Sequence, residues 1–421
     1  MPNANLPAVY ILATLDTKGV EATYLGDRLR QCGIATRLVD VGCLGEPRAT
    51  ADIARARIFT ATGADLAGLI AGGDRGVAIS AAAAGARTLV AADFARGEVA
   101  GVLALGGSAG TTIGTAAMRA LPWGVPKVMV STLAAGQVRQ FVGNKDIFML
   151  NSVVDIAGVN RLSRPVLDQA ARAMAGLVGL AADTAGGSDK PLVAATMFGV
   201  TTPCVERARE VLEQAGYEVV VFHATGAGGE AMESLTREGL IRGVLDITTT
   251  ELADELVGGF LSAGPTRLTA AAECGVPQVV SVGATDMVNF YGPESVPEKF
   301  RGRQFHAHNA NVTLMRTTPA ENARLGAEIG RKVAASRGPA SIFFPLGGVS
   351  AIDGVGRAFD DPAARQALLA GIEANRGAVE LVELDCHIND PAFAEAAARR
   401  LIAMLAAVAR ASDSRSRADR S

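Results

Sequence analysis

The chain is poor in the features by which a function is often read. Aromatic residues make up 5% of its 421, with one tryptophan and four tyrosines, too few for the base-stacking platforms of single-strand nucleic-acid binders. A formal net charge of −3 supplies no global pull toward a phosphate backbone, and no nucleic-acid partner is expected. The five cysteines, Cys32, Cys43, Cys204, Cys274 and Cys386, are odd in number and lack C-x-x-C spacing, which argues against a disulfide framework or a zinc site. They predict buried free thiols in a reducing cytoplasm. No apolar run approaches a transmembrane length, so no membrane partner is expected. The opening MPNANLPAVYILATLDTKG has no basic n-region and reads as a first strand in place of a signal peptide.

What is abundant is small and apolar. Hydrophobic residues are 49% and glycines number 48, a composition suited to close-packed α/β layers. The length calls for more than one core. Strand-like runs at Val9–Ala13, Thr36–Val41, Val99–Leu105 and Lys127–Val130 alternate with helical spacing at Val20–Gln31 and Val77–Ala92, the pattern of a parallel, doubly wound sheet. After a small-residue stretch around Ala182–Lys190, expected to be a linker, the pattern restarts. PLVAATMFGVT answers VYILATLDTKG; Gly33 maps to Gly216 and Asp40 to His223, a common offset of 183 residues; GVPKVMVS is echoed by GVPQVVSV. Helix Ala320–Ser336 and strands Ser341–Leu346 and Val379–Leu384 continue the second unit. The fold class expected is α/β, with two Rossmann-like doubly wound domains and mostly parallel sheets: residues 1–185, residues 190–410, and a disordered tail over 411–421 that lacks apolar residues.

The stretch LALGGSAGTTIGTAAM, Leu103–Met118, runs from a strand through glycines and hydroxyls into an Ala-rich helix. It fits neither G-x-x-x-x-G-K-[ST] nor G-x-G-x-x-G. Two readings are open: a phosphate cradle of backbone N–H groups and hydroxyls at a helix N-terminus, or a tight strand-to-helix turn with Thr111 as N-cap. In GGDRG, Asp74 and Arg75 read as a helix cap, outside the site.

The blocks ATLDTKG, LGGSAGT, GVPKVMVST, SVVDIAGVNR, FHATGAGG, HNANVTLMRTT and FPLGGVSAID, in order from Val9 to the last helix, closely resemble a family of largely uncharacterised bacterial proteins. That family is similar to the ATP-binding N-terminal domain of the tomato mosaic virus resistance protein. The resemblance implies two Rossmann-like subdomains, nucleotide binding and a homodimer, and it favours the phosphate reading. Gly106, Gly107, Ser108, Gly110, Thr111 and Thr112 are then expected to cradle phosphates, with Ser131 and Thr132 at the next strand end and Asp16, Thr17 and Lys18 after the first. Asp40, at the end of the second strand, stands where a carboxylate bonds ribose hydroxyls or is a turn residue. The cofactor expected is ATP, with Mg2+ accompanying the nucleotide.

In the second unit, His223, His306 and His308 fall beside strand ends or in loops and His387 follows the last strand, with Glu230, Glu233, Glu251, Asp286, Arg316 and Asp353 in comparable places. One reading is a polar pocket for an unidentified small molecule, facing the nucleotide domain, with His308 or His223 as base, Arg316 holding an acid group, and Glu251 and Asp353 as carboxylates. The other is that each satisfies loops and backbone carbonyls. No H-x-x-x-H or H-E-x-x-H spacing supports a transition metal. The functions expected are an ATP-dependent enzyme acting on a small carboxylate or sugar acid, a nucleotide-gated protein-interaction module, or an ATP-independent hydrolase.

Overall fold

A computed structural model describes residues 7–43, 45–180 and 190–418, with side chains to residue 411. The chain divides into two compact units, Met1–Gly186 and Gly187–Ser421. In the first, five strands, β1 (Ala8–Ala13), β2 (Thr36–Asp40), β3 (Val99–Gly106), β4 (Lys127–Ser131) and β5 (Phe148–Asn151), form one sheet of order β2-β1-β3-β4-β5. Every pairing is parallel. Such strands are covered on both faces, which is why AVYILA is buried at all six positions. Alternation then splits the core. Tyr10, Leu12, Val102, Ala104 and Met129 meet helices Arg75–Ala95 and Ser108–Arg119 on one face. Val9, Ile11, Leu103, Leu105 and Val130 meet helices Leu15–Gln31 and Ser163–Gly179 on the other.

Helix Arg75–Ala95 corrects an expectation. By length and composition it is apolar enough to cross a membrane, because an Ala-rich core helix passes that test; here Ala78, Ala82, Ala86, Leu89 and Val90 are buried in the core. The segment before it folds as a short helix, Leu66–Gly72, capped by Asp65 and ended by Gly73 at φ +66°.

In the second unit, β6 (Leu192–Met197), β7 (Glu218–His223), β8 (Gly243–Thr248) and β9 (Gln278–Gly283) join two later strands, β13 (Ala340–Pro345) and β14 (Glu380–Leu384), in the order β14-β13-β9-β8-β6-β7. All of these pairings are parallel as well. The offset of 183 is matched in space: Asp40 ends β2, His223 ends β7, and Gly33 and Gly216 both adopt positive φ after the preceding helix. A separate antiparallel sheet, order β10-β12-β11, is inserted after β9 and comprises β10 (Met287–Phe290), β11 (Phe305–Asn309) and β12 (Val312–Arg316). The HAHNANVTLMRT segment, with His306 and His308 expected beside strand ends or in loops, forms a hairpin that places both histidines within β11; Val and Thr carry the β-propensity.

The last helix spans Pro391–Ala418, so the expected disordered tail is helical to Ala418. No Pro or Gly interrupts it after Pro391, and Ala and Arg favour helix without a packed face. The expected linker, Lys190 apart, and residues 419–421 lie outside the described residues. All five cysteines are free, but only Cys43 and Cys204 are buried. Cys32 and Cys274 are exposed because each sits at a helix C-cap or last turn just before a left-handed glycine.

Candidate functional site

The chain crosses back over β1 between β2 and β3, which makes the carboxyl ends of β1 and β3 the switch point where doubly wound sheets place ligands. A cavity of about 360 Å³ lies there, lined by Thr14, Asp16 and Thr17 after β1, Gly45 and Arg48 after β2, Arg75 at a helix start and Ala109 after β3. Three helix N-termini converge on it, and two carry their own carboxylate. The Asp40 Oδ1 accepts from Leu15 N (3.2 Å) at the start of Leu15–Gln31 and from Gly42 N (2.8 Å). Asp74 Oδ1 accepts from Gly76 N (2.9 Å) and Val77 N (3.1 Å). Helix Ser108–Arg119 has only Gly107 as N-cap, with no side-chain cap. Its first bond runs from Thr111 N to Gly107 O (2.8 Å), leaving the preceding N–H groups to whatever enters the cavity.

Glycines divide by role. A Cβ on Gly106 would lie 2.8 Å from Gly110 Cα, and one on Gly110 2.8 Å from Leu105 O; these two let the helix start directly against the strand. A Cβ on Gly107 would meet only Thr132 Oγ1 at 3.7 Å. Packing therefore gives no reason for a glycine at 107.

The cations differ from those expected. Lys18 Nζ donates to Ile156 O and does not line the cavity. Arg48 and Arg75 do, and neither guanidinium has a hydrogen-bond or ion-pair partner among the described residues. Arg75 opens its helix, the end of the dipole that disfavours a cation. That misplaced charge, following the capping Asp74, is the signal by which sequence reading would have found it. Arg48, in a loop without periodicity, left none.

Of the other residues expected here, Thr17 Oγ1 shares a hydrogen bond with Thr14 Oγ1 (2.8 Å), and Asp16 Oδ2 accepts from Gly45 N (3.0 Å) while its buried Oδ1 has no partner. Thr111 is fully buried and is not the N-cap; its Oγ1 shares a hydrogen bond with Ser131 Oγ (2.7 Å), and Ser131 Oγ accepts from Leu133 N (3.0 Å). Ser108 is exposed and Thr112 Oγ1 donates back to Ser108 O (2.9 Å). Thr132 N donates to Gly106 O (3.3 Å). Asp40 is 1% exposed and outside the cavity lining; burial raises its carboxyl above the usual range, opposed by the Gly42 and Leu15 N–H groups.

In the second unit the glycine-rich turn that follows β7 is already filled. Glu251 Oε1 accepts from Gly226 N (2.7 Å) and Gly229 N (3.1 Å) at the start of helix Ala227–Arg237. Its Oε2 accepts from Arg267 Nε (2.6 Å). Arg267, fully buried, also holds Asp246 through Nη1 and Nη2 (2.6 and 2.7 Å) and approaches Glu233 at 3.5 Å. Glu251 is thus an internal anion bound to the cradle, with burial raising its carboxyl against the pull of Arg267.

The structure brings Arg316 and Asp353 together, but inside the protein. Arg316 Nη2 lies 3.4 Å from Asp353 Oδ1, which also accepts from Arg365 Nη1 (2.6 Å), and Arg316 Nε donates to Phe359 O (2.9 Å). Asp286 is buried beside them, its Oδ2 accepting from Ser350 Oγ (2.8 Å) and its Oδ1 without a partner. Burial, then the Asp353 charge, pushes Asp286 up to about 7. His387 Nε2 lies 2.9 Å from Ser350 O. His308 is exposed on the edge strand β11, and His223 is exposed at the end of β7, stacked on Phe198 at 5.5 Å. Arg316, Asp353 and Asp286 are buried, whereas His308 and His223 are exposed on different strands.

Fold and site define a protein of two doubly wound α/β units with a cationic pocket at the first unit's switch point. The chain belongs to the uncharacterised protein family UPF0261: the family's N-terminal domain matches residues 7–183 and its C-terminal domain residues 190–405. A UPF0261 protein of Clostridium tetani is 48% identical over 400 residues, covering 94% of this chain and 98% of that protein. One from Rhizobium meliloti is 48% identical over 393 residues, covering 92% and 97%. The tomato ToMV resistance protein Tm-1 (Solanum lycopersicum) is 39% identical over 416 residues, which covers 93% of this chain and 55% of the tomato protein.

Proposed function

We propose that the first unit binds a nucleotide by its phosphates, ATP with Mg2+, at the β1–β3 switch point. One observation carries the reading: the cavity joins the one of its three helix N-termini that lacks a carboxylate cap to two arginines without partners. Positive potential of this kind, from two arginines that form no ion pair among the described residues, suits a phosphate chain. Gly107 leaves the approach open. The Asp16 Oδ1, buried and unpartnered, is the carboxylate that would hold Mg2+. Magnesium bound by one or two carboxylates plus phosphates needs no dedicated cage, and the described residues contain no group of three or more His, Cys, Asp or Glu that would form one.

The test is calorimetric titration of Mg–ATP into wild type and an Arg48→Gln/Arg75→Gln variant. Since neither arginine holds the fold together, the variant should keep its melting temperature and lose about 10- to 100-fold in affinity, or about 1.4 to 2.8 kcal/mol. A wild type that binds no ATP, or a folded variant that binds it equally well, overturns the reading. Release of ADP, measured in parallel, separates binding from turnover.

A further inference from the structure

Helices Arg75–Ala95 and Ser108–Arg119, which bring their N-termini to the switch point, flank a second, half-open cavity further along. It measures about 320 Å³ and is lined by Ala83, Ala84, Arg87, Ala116 and Arg119. Arg87 lies 12 residues beyond Arg75 and Arg119 lies 10 beyond Ala109, so at 1.5 Å per residue the two cavities are separated by about 15 to 18 Å of helix.

It is open to solvent on one side, where Ala84 and Arg87 are exposed, and its composition is one-sided. Three alanines leave space, two guanidiniums face it, and no acidic side chain lines it. Arg87 has no hydrogen-bond or ion-pair partner among the described residues. The half-buried Arg119 donates through Nη1 to Phe141 O and to Gln140 O (3.3 Å), and its Nε and Nη2 have no partner among the described residues. Burial and then the Arg87 charge hold Arg119 below the usual guanidinium range. Two cations sharing a small polar cavity repel unless an anion lies between them, and planar guanidiniums bind oxyanions in pairs of hydrogen bonds.

We infer that this cavity is a second oxyanion site, for a small phosphate- or carboxylate-bearing metabolite held between Arg87 and Arg119 and distinct from the ligand at the switch point. The site does not depend on the nucleotide reading.

Equilibrium dialysis with labelled inorganic phosphate tests it, at constant ionic strength set with chloride, in the Arg48→Gln/Arg75→Gln background to weaken the first site. This background should still bind phosphate, and adding Arg87→Gln should weaken that binding at least tenfold with the fold intact, because Arg87 supports nothing else. Citrate distinguishes the sources: displacement of phosphate by lower concentrations of citrate assigns a carboxylate ligand, and displacement only at higher ones a phosphate. Arg87→Glu provides an independent reading. It places a carboxylate opposite Arg119 and should raise the melting temperature while abolishing phosphate binding. Phosphate and citrate binding no stronger than chloride, binding unaffected by Arg87→Gln, or no thermal gain from Arg87→Glu, overturns the inference.

Discussion

Replacing Gly107 with valine separates the two uses of a glycine-rich turn. The residue stands at φ −79°, ψ −150°, an extended conformation open to any side chain, and the nearest atom to an added Cβ is Thr132 Oγ1 at 3.7 Å. Folding should therefore lose only the N-cap preference of glycine over valine, about 1 kcal/mol, or a fall of about 2–4 °C in melting temperature for a unit of this size. The ligand should lose more. Valine adds a branched side chain where a phosphate must approach the N–H groups of Ser108 to Gly110, and each charge-assisted hydrogen bond lost costs about 1.5–3 kcal/mol. One such bond raises the Kd for ATP by about 10- to 150-fold. Gly106→Ala is the contrast: its Cβ would press on Gly110 Cα at 2.8 Å, so it should damage folding first. Calorimetric titration and thermal denaturation of both variants decide the matter. A folded Gly107→Val protein with a Kd within about threefold of wild type refutes the phosphate cradle and leaves the turn purely structural.

Two further outcomes concern the second unit. Asp286 keeps its proton to about pH 7 in the folded protein against an ordinary value of 3.8, so between these values the folded state binds more protons than the unfolded and stability falls as pH rises, by up to about 1.4 kcal/mol per pH unit. Asp286→Asn should flatten that slope in urea unfolding at pH 5, 6 and 7; equal slopes in both proteins would show that Asp286 titrates normally. Arg267→Leu leaves Asp246, Glu251 and Glu233 without their shared cation and should cost about 3–5 kcal/mol, seen as a large drop in thermal midpoint; a midpoint within about 2 °C of wild type would show that the network does not stabilise the fold.

Much of the architecture was legible in one dimension because its causes are local or periodic. Runs such as AVYILA and VAGVLALG mark parallel strands by burial on both faces. Thr318, Pro319 and Glu321 spell a capping box that forms as written, with Glu321 N donating to Thr318 Oγ1 (3.2 Å) and Thr318 N to Glu321 Oε2 (2.7 Å). The repeat offset survives because helix end, left-handed glycine and strand end recur in the same order. Asp16 and Thr17, expected after the first strand, line the cavity at the switch point, together with Ala109 of the helix that the Gly107 turn opens.

Other features depended on which side chains the fold consumes. Nothing in TGAGGE distinguishes it from a phosphate turn until Glu251, more than 20 residues later in the chain, is seen to occupy its N–H groups. Asp40 looks like a ribose ligand by spacing, yet its carboxylate is needed to cap the helix beginning at Leu15. Arg316 and Asp353 look reactive, and tertiary packing spends them on one another inside the core. Conversely Arg48, Arg75 and Arg87 carry no motif; they matter because, once the chain is folded, none of them forms an ion pair with a carboxylate among the described residues. Sequence by itself determined where strands end and helices begin, since backbone preference and hydrophobic period act over a few residues. Only tertiary structure decided which charges remain unpaired, because electrostatic satisfaction depends on distance in space and not on separation along the chain.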